Sequence, residues 1–262
     1  MNILVCMKQV PDTQHVKIDP EKGTLIRKGV PAVTNPFDES ALELALEIKE
    51  KLGAKITVLT MGIPDSECML RDALALGADC GMLLTDAGFA GADTLATSYA
   101  LSRAIETIGN FELLIFGKQA IDGDTAQVGP EVAGHLDIPV ITFVMGAQEV
   151  TENSIVVERM LDNGKEIVRS GYPVLITVVK AERRLRMPTL DGLLTSFDLR
   201  VQKLGVSDIG ADIQRCGLKG SPTRVKKIFT PKQRSRVMLI RGSIEEKAKG
   251  FVDILHGEGI LS

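Results

Sequence analysis

The residues of this chain best suited to chemistry lie in one polar loop, Gly117-Lys118-Gln119-Ala120-Ile121-Asp122-Gly123-Asp124-Thr125-Ala126-Gln127-Val128-Gly129. Its glycines let the backbone adopt positive φ and approach a ligand closely. The Thr125 hydroxyl and the N–H groups of a following helix can bind a phosphate, whereas Asp122 and Asp124 suit helix capping or ribose hydroxyls better. The GxGxxG and GxxxxGK[ST] spacings are absent, so nucleotide binding and a plain strand–turn–helix connection both stay open here.

The elements that must position this loop are a strand before it and a helix after it. The apolar run 113–116 predicts a buried strand, and residues 128–136 predict a helix. In an open α/β sheet, a strand that leads into a helix N-terminus is a place where nucleotides bind. The loop therefore has the context that a nucleotide site requires.

The rest of the chain repeats the same alternation of strand and helix. Hydrophobic periodicity predicts strands at 2–7, 55–61, 81–85, 111–116 and 140–144, and helices at 40–53, 65–78, 93–108 and 127–136. This alternation predicts an α/β fold with a doubly wound, mainly parallel sheet. Two hairpins are predicted in addition, at 16–33 around the turn 19–23 and at 155–180 around the turn 162–164.

The C-terminal part of the chain lacks this alternation. After about residue 200 the segment 217–231 is basic and interrupted by Pro and Gly, and one last helix is predicted at 243–255. We therefore expect an α/β domain at 1–200 and a C-terminal arm at 201–262 that wraps a partner or the body of the chain.

Composition excludes several classes of function. The 262 residues carry a net charge of −3, which argues against a general nucleic-acid binder. No apolar run reaches membrane-spanning length, and the N-terminus has no leader pattern, so we expect a cytoplasmic protein. Four cysteines without a CxxC pair and three dispersed histidines argue against a metal site. No constellation for acid–base or nucleophilic catalysis stands out, and no catalytic side chain is predicted.

A second candidate site lies at the start of the predicted helix 93–108. Asp93 is a good N-cap, and the hydroxyls of Thr94 and Thr97 share one face of the first turn. Together with the positive end of the helix dipole they favour a second anion, as in the pyrophosphate of a dinucleotide. The alternative is that these hydroxyls only cap the helix.

Several motifs in this order resemble the small (β) subunit of electron-transferring flavoproteins across about the whole chain. They are Lys8 with Pro11-Asp12, the segment Asn35-Pro36-Phe37-Asp38-Glu39, the loop Lys118–Asp124, and Arg186-Met187-Pro188-Thr189-Leu190. The resemblance implies a Rossmann-like, adenine-nucleotide-binding three-layer sandwich that pairs with a larger α subunit. The β subunit of this family binds AMP in simple electron carriers and FAD in electron-bifurcating members.

The residues predicted to contact the nucleotide combine those that the resemblance assigns with Asp93, Thr94 and Thr97 of the second candidate site. They are Cys6, Asn35, Pro36, Phe37, Asp38, Met61, Asp93, Thr94, Thr97, Lys118, Gln119, Ala120, Ile121, Asp122, Gly123, Asp124, Thr125, Ala126, Gln127, Val128 and Gly129. Without the family, core packing would be the preferred interpretation of Cys6 and Met61. Asn35 precedes a proline and is held extended, so its amide either faces an adenine edge or forms a helix-entry turn.

The resemblance also implies a partner-recognition loop at 183–197. Leu190, with Arg186 and Leu193, matches the leucine-bearing loop that docks into an acyl-CoA dehydrogenase or a related flavin dehydrogenase. From the residues alone, Leu190 would be a core residue at the start of a helix. The segment 191–194 departs from simple carriers, which have a lysine-rich stretch there, and this indicates a different kind of partner.

The run Asp93–Ser98 is similar to the bifurcating subgroup and implies FAD rather than AMP. In that mechanism NADH delivers a hydride to the FAD of this subunit. One electron then passes to the FAD of the α subunit and the dehydrogenase, and the other to ferredoxin or flavodoxin. Two alternatives remain at this stage: a non-bifurcating carrier with structural AMP, and a stand-alone nucleotide sensor of the universal-stress type.

Overall fold

The computed structural model describes residues 1–12, 17–18, 25–26, 31–180, 184–226 and 239–261. The strands are β1 (Asn2–Cys6), β2 (Gln9–Pro11), β3 (Lys17–Ile18), β4 (Leu25–Ile26), β5 (Ala32–Thr34), β6 (Lys55–Met61), β7 (Cys80–Leu84), β8 (Leu113–Gly117), β9 (Val140–Val150), β10 (Ser154–Leu161), β11 (Gly164–Gly171), β12 (Val174–Val178) and β13 (Val201–Leu204). The helices are α1 (Pro36–Leu52), α2 (Glu67–Ala75), α3 (Thr94–Ile108), α4 (Val128–Leu136), α5 (Leu190–Asp198), α6 (Gly217–Gly220) and α7 (Ile244–Gly257).

A nine-stranded sheet with the order β11-β10-β9-β12-β8-β1-β6-β7-β13 forms the centre of the fold. The strands from β9 through β12, β8, β1, β6 and β7 to β13 are parallel, and β10 and β11 add an antiparallel hairpin. The chain builds outward from β1 to β6 and β7, then crosses back to β8 and β12. This confirms the predicted doubly wound, mainly parallel sheet.

Helices cover both faces of the sheet, because its central strands are apolar on both sides. On one face, Ile3 and Val5 of β1 belong to a core with α1 and α2. On the other, Leu4 belongs to a core with α3 and α4. The result is the three-layer sandwich that the resemblance implied.

Several elements differ in their bounds from the prediction, among them α1 and β9. Helix α1 begins at Pro36 rather than residue 40, because a proline at the first helical position has no N–H that needs a partner. The predicted helix end at Gly53 is confirmed, and this residue is in the left-handed region with a φ of 66°. Strand β9 runs on to Val150 because its second half pairs with β10.

The first predicted hairpin is present as the antiparallel pair β3–β4, while its turn at 19–23 lies outside the described residues. The second is present as β10–β11, around the turn that ends at Gly164. This hairpin ends at Gly171, and the last part of the predicted range instead forms β12, which pairs in parallel with β8 and β9.

The C-terminal region divides at a different point from the one expected. Strand β13 pairs in parallel with β7, so residues just beyond 200 extend the main sheet. The two compact units of the chain are residues 1–226 and 227–262. In the second unit, α7 begins with a capping box between Ser243 and Glu246. Among the described residues, no helix combines the length and apolar character that a bilayer span requires.

Candidate nucleotide-binding site

The candidate site lies at the carboxyl ends of β1, β6 and β8, where the sheet changes direction. Cys6 ends β1 and Met61 ends β6, and both side chains are half-buried against the core formed with α3 and α4. Burial, with Asp38 nearby, raises the pKa of the Cys6 thiol, so this side chain stays protonated at neutral pH. The structure thus brings both residues to the predicted edge of the sheet.

The loop between β8 and α4 presents a set of backbone N–H groups without internal acceptors. Asp124 and Ala126 have φ values of 52° and 55°, and Gln127 returns to the right-handed region. Such a change of hand turns successive N–H groups toward one point and forms an anion-binding concavity. Across the described residues, the N–H groups of 125–129 donate to no acceptor. They are free for a phosphate at the helix N-terminus.

The Asn35 side chain holds this loop in place through two hydrogen bonds. Its side chain is 1% exposed, its Nδ2 donates to the Gln119 carbonyl at 2.8 Å, and its Oδ1 accepts from the Ile121 N–H at 3.3 Å. The amide is therefore occupied by the loop itself. Of the two roles considered for Asn35, the structure shows a residue at the entry of α1 that fixes the loop, and contact with an adenine edge stays a prediction.

The Asp38 carboxylate links the backbone just after β1 to the last residue of β8. One carboxylate oxygen accepts from the Lys8 N–H at 2.7 Å and the other from the Gly117 N–H at 3.1 Å. Burial raises the pKa of Asp38 to about 7, against the opposing effect of hydrogen bonds from Lys8, Asn35 and Gly117. A Cβ on Gly117 would lie 2.1 Å from Asp38 Oδ1, so only glycine fits at this strand end.

The two acidic residues of the loop are engaged within the chain. Asp122 pairs with the Lys8 ammonium at 2.7 Å, and Asp124 accepts from Gln119 Nε2 at 2.7 Å. No side chain caps α4, whose N-cap position is Gln127. Of the two roles considered for Asp122 and Asp124, helix capping is wrong, and contact with ribose hydroxyls stays a prediction. The first turn of α4 stays open because both carboxylates face other donors.

The N-terminus of α3 is more fully satisfied. Asp93 is the predicted N-cap, with Oδ1 accepting from the Ala96 N–H at 3.1 Å. Its other oxygen accepts from the N–H and the hydroxyl of Thr223, at 3.1 and 2.8 Å. Partial burial works to raise the pKa of Asp93, but the hydrogen bonds from Ala96, Thr223 and Ser221 together lower it.

The two threonines of α3 differ from each other. Thr94 Oγ1 donates to Glu131 Oε1 at 3.1 Å, while within the described chain the Thr97 hydroxyl has no hydrogen-bond partner. Glu131 Oε2 is buried and makes no hydrogen bond in the described part. A carboxylate beside Thr94 disfavours a phosphate there. Only Thr97 thus has the free hydroxyl that was expected of both.

Comparison with known proteins identifies the family. Residues 22–190 match the family described as "Electron transfer flavoprotein domain". Over 262 residues the chain is 46% identical to the electron transfer flavoprotein subunit beta of Thermoanaerobacterium thermosaccharolyticum, covering 100% of both chains. It is 45% identical to the Clostridium acetobutylicum subunit over 258 residues, which cover 98% of this chain and 99% of that one. The chain belongs to the electron transfer flavoprotein β-subunit family.

A third relative is the caffeyl-CoA reductase-Etf complex subunit CarD of Acetobacterium woodii, 42% identical over 263 residues that cover 100% of both chains. Membership of the electron transfer flavoprotein family places this chain in electron transport. The contacts of Asn35, Asp38 and the 118–129 loop are therefore those of a member of this family.

The expected partner-recognition loop of this β subunit is apolar and exposed. Leu190 starts α5 and is 72% exposed, so the interpretation from the residues alone, a core position, is wrong. Leu193, Leu194 and Phe197 extend the same apolar surface. Arg186 differs, because it pairs with Glu43 at 2.8 Å and with Glu50, both on α1. Residue 183 of the expected loop lies outside the described residues.

Three residues at or beside the candidate nucleotide site had no predicted role. Lys8 pairs with Asp122, Glu131 contacts Thr94, and Phe143 lies under the Lys118 ammonium. Lys8 was visible as part of a motif. Glu131 and Phe143 gave no local signal, because their importance depends on which elements pack side by side.

Proposed function

We propose that this chain is the β subunit of a heterodimeric electron transfer flavoprotein and binds FAD on the loop 118–129. The observation that carries the proposal is the set of free N–H groups at 125–129, which fits a phosphate. Gly129 supports this geometry, because a Cβ there would lie 2.8 Å from Thr177 Cγ2 and would push the helix start away from the sheet. The second phosphate of a dinucleotide would lie at the N-terminus of α3, where the Thr97 hydroxyl is free within the described chain.

The chain's own residues bind and orient the cofactor. Asn35 and Asp38 hold the loop and strand exits, and the N–H groups of 125–129 would hold a phosphate. The chemistry supplied by bound FAD is hydride acceptance from NADH and one-electron delivery to two acceptors. These are the FAD of the α subunit with its acyl-CoA or related flavin dehydrogenase, and a ferredoxin or flavodoxin.

A second candidate is a non-bifurcating carrier subunit that binds structural AMP. The contact between Thr94 and Glu131 favours it, since a carboxylate occupies one of the positions assigned to a second phosphate. A mononucleotide needs only the free N–H groups of 125–129, which are available to AMP and to FAD alike.

The deciding experiment is to release and count the nucleotides of the purified complex of α and β subunits. We expect two FAD per heterodimer, with chromatography of the acid extract as the measurement. One FAD and one AMP would reject bifurcation in favour of the structural-AMP carrier. A complex that retains no nucleotide in the β subunit would reject both assignments of the loop.

We also propose that the apolar surface of α5 docks the dehydrogenase. Leu190→Ala should slow electron transfer to that partner while leaving flavin content and reduction by NADH unchanged. Ile167→Ala on β11 is the matched control, because its side chain is 63% exposed and lies in a different element. Equal effects of the two substitutions would remove the docking role of Leu190.

We further propose that the C-terminal arm wraps the α subunit. In the unit 227–262, α7 exposes Ile244, Phe251 and Val252 on an amphipathic helix. Such a helix needs an apolar surface to cover this stripe. Truncation before residue 239 should release the α subunit in size-exclusion chromatography, whereas an intact complex would contradict the proposal.

A further inference from the structure

Phe143 has an unusual backbone conformation at the edge of the candidate site. Its φ is +60°, a region that bulky side chains rarely adopt because it is sterically strained. It occurs where β9 and β12 change register between Ile176 and Val178. Two residues of β9 oppose one of β12 there, which is the arrangement of a β-bulge.

The bulge determines which side chains face the core. Ile141 and Val144 both pack into the core shared with α1 and α2, although residues three apart in a regular strand face opposite sides. The Phe143 N–H donates to the buried Thr177 hydroxyl at 3.2 Å, which stabilises the irregular backbone. Phe143 itself is thereby displaced from the core register and remains half-buried at the sheet edge.

The displaced ring lies next to the first side chain of the nucleotide loop. The Lys118 ammonium is 5.1 Å from the centre of the Phe143 ring, within the range of a cation–π contact. Lys118 is fixed at its backbone, where its N–H donates to the Val178 carbonyl at 2.7 Å. In the described part of the chain no carboxylate forms an ion pair with this ammonium, so its charge is available to a ligand.

We propose that Phe143 is a positioning residue that holds the Lys118 ammonium at the nucleotide loop, where this cation faces the phosphate of the bound nucleotide. The inference rests on the proposed nucleotide site, but it holds for FAD and for AMP alike. Phe143 contacts Lys118 and not the nucleotide, so its contribution to binding passes through the lysine.

The test is a double-mutant cycle on the complex of α and β subunits after removal of bound nucleotide, with ADP as the titrated probe. Lys118→Met should weaken ADP binding about tenfold, as expected for loss of a charged hydrogen-bond partner. Phe143→Leu should weaken it about threefold, and Phe143→Tyr should leave it unchanged. In the Lys118→Met background, Phe143→Leu should add nothing, because the group that it positions is gone.

Two controls separate this role from a structural one. Phe143→Gly suits a φ of +60° and removes backbone strain, so it should weaken ADP binding as Phe143→Leu does if the ring matters. Adenosine, which lacks phosphate, should bind equally to wild type and Phe143→Leu. Additive effects in the cycle, or wild-type binding by Phe143→Gly, would overturn the proposal. A wild-type complex that binds neither probe would instead reject the nucleotide site itself.

Discussion

The N-termini of α3 and α4 lie side by side and are used differently. At α4 the N–H groups of 125–129 face no acceptor in the described chain, and no side chain caps the helix. At α3 the Asp93 side chain caps the helix and also binds Thr223, while Thr94 is engaged by Glu131. An anion can therefore bind at α4 without displacing any protein contact, whereas at α3 it meets groups that are largely satisfied.

The carboxylates associated with the two helix ends differ in the same way. Asp38, beneath the α4 loop, is 5% exposed and its pKa is raised to about 7 by burial. Asp93, at α3, is less buried and its pKa is lowered on balance by hydrogen bonds. Both accept backbone N–H groups, so the difference lies in the loss of water around Asp38.

The largest expected effect concerns the pH dependence of Asp38. A carboxyl whose pKa rises from 3.8 to about 7 on folding contributes stability below about pH 4 and loses it as pH rises through 7. Relative to Asp38→Asn, the wild type should gain about 3–4 kcal/mol of unfolding free energy between pH 8 and pH 4. Urea unfolding at several pH values measures this, and a constant difference between the two proteins would contradict it.

A substitution at Gly117 tests whether the end of β8, beneath the α4 loop, depends on close packing against Asp38. Gly117→Ala should lower the unfolding free energy by about 2–3 kcal/mol, because the new Cβ would overlap the Asp38 carboxylate. It should also abolish nucleotide binding by moving the strand exit. Gly123→Ala is the control, since nothing lies within 4 Å of a Cβ there. Equal stability of the two variants by thermal unfolding would argue against the packing of Asp38 on Gly117.

The two threonines of α3 sharpen the comparison within one helix. Thr97→Val should weaken FAD binding by about 1.5–2 kcal/mol, because its hydroxyl is free to donate to a charged phosphate. Thr94→Val should have a smaller effect, since that hydroxyl already donates to Glu131. Titration of the nucleotide-depleted complex with FAD measures both. A larger loss for Thr94→Val would mean that binding releases Thr94 from Glu131.

The smallest expected effect is the loss of the α3 cap. Asp93→Ala should lower the unfolding free energy by about 1 kcal/mol at pH 7, as for other N-caps. Because the folded pKa of Asp93 is lowered, its contribution is present above about pH 4 and is lost as pH falls further. The difference between wild type and variant should therefore shrink in acid, opposite in sign to that of Asp38. A difference that grows in acid would rule this out.

Local sequence signals gave most elements and the position of the polar loop between β8 and α4. The Gly53 helix end, the Asp93 cap and the hairpin turn at Gly164 were predicted because each depends on residues adjacent in sequence. The open first turn of α4 was not, since the partners of Asp122 and Asp124 could not be assigned from the loop alone. The exposure of Leu190 was expected from the family and not from its hydrophobicity.

The sequence by itself determined the alternation of strands and helices and the position of a Gly- and Asp-rich loop after an apolar strand. These follow from periodicity and from turn chemistry, which act over a few residues. Only the tertiary structure decided that Asn35 and Asp38 hold that loop, that Glu131 engages Thr94 and that Phe143 contacts Lys118. Each of these contacts joins elements distant in sequence, and whether a polar group is free or satisfied depends on what packs against it.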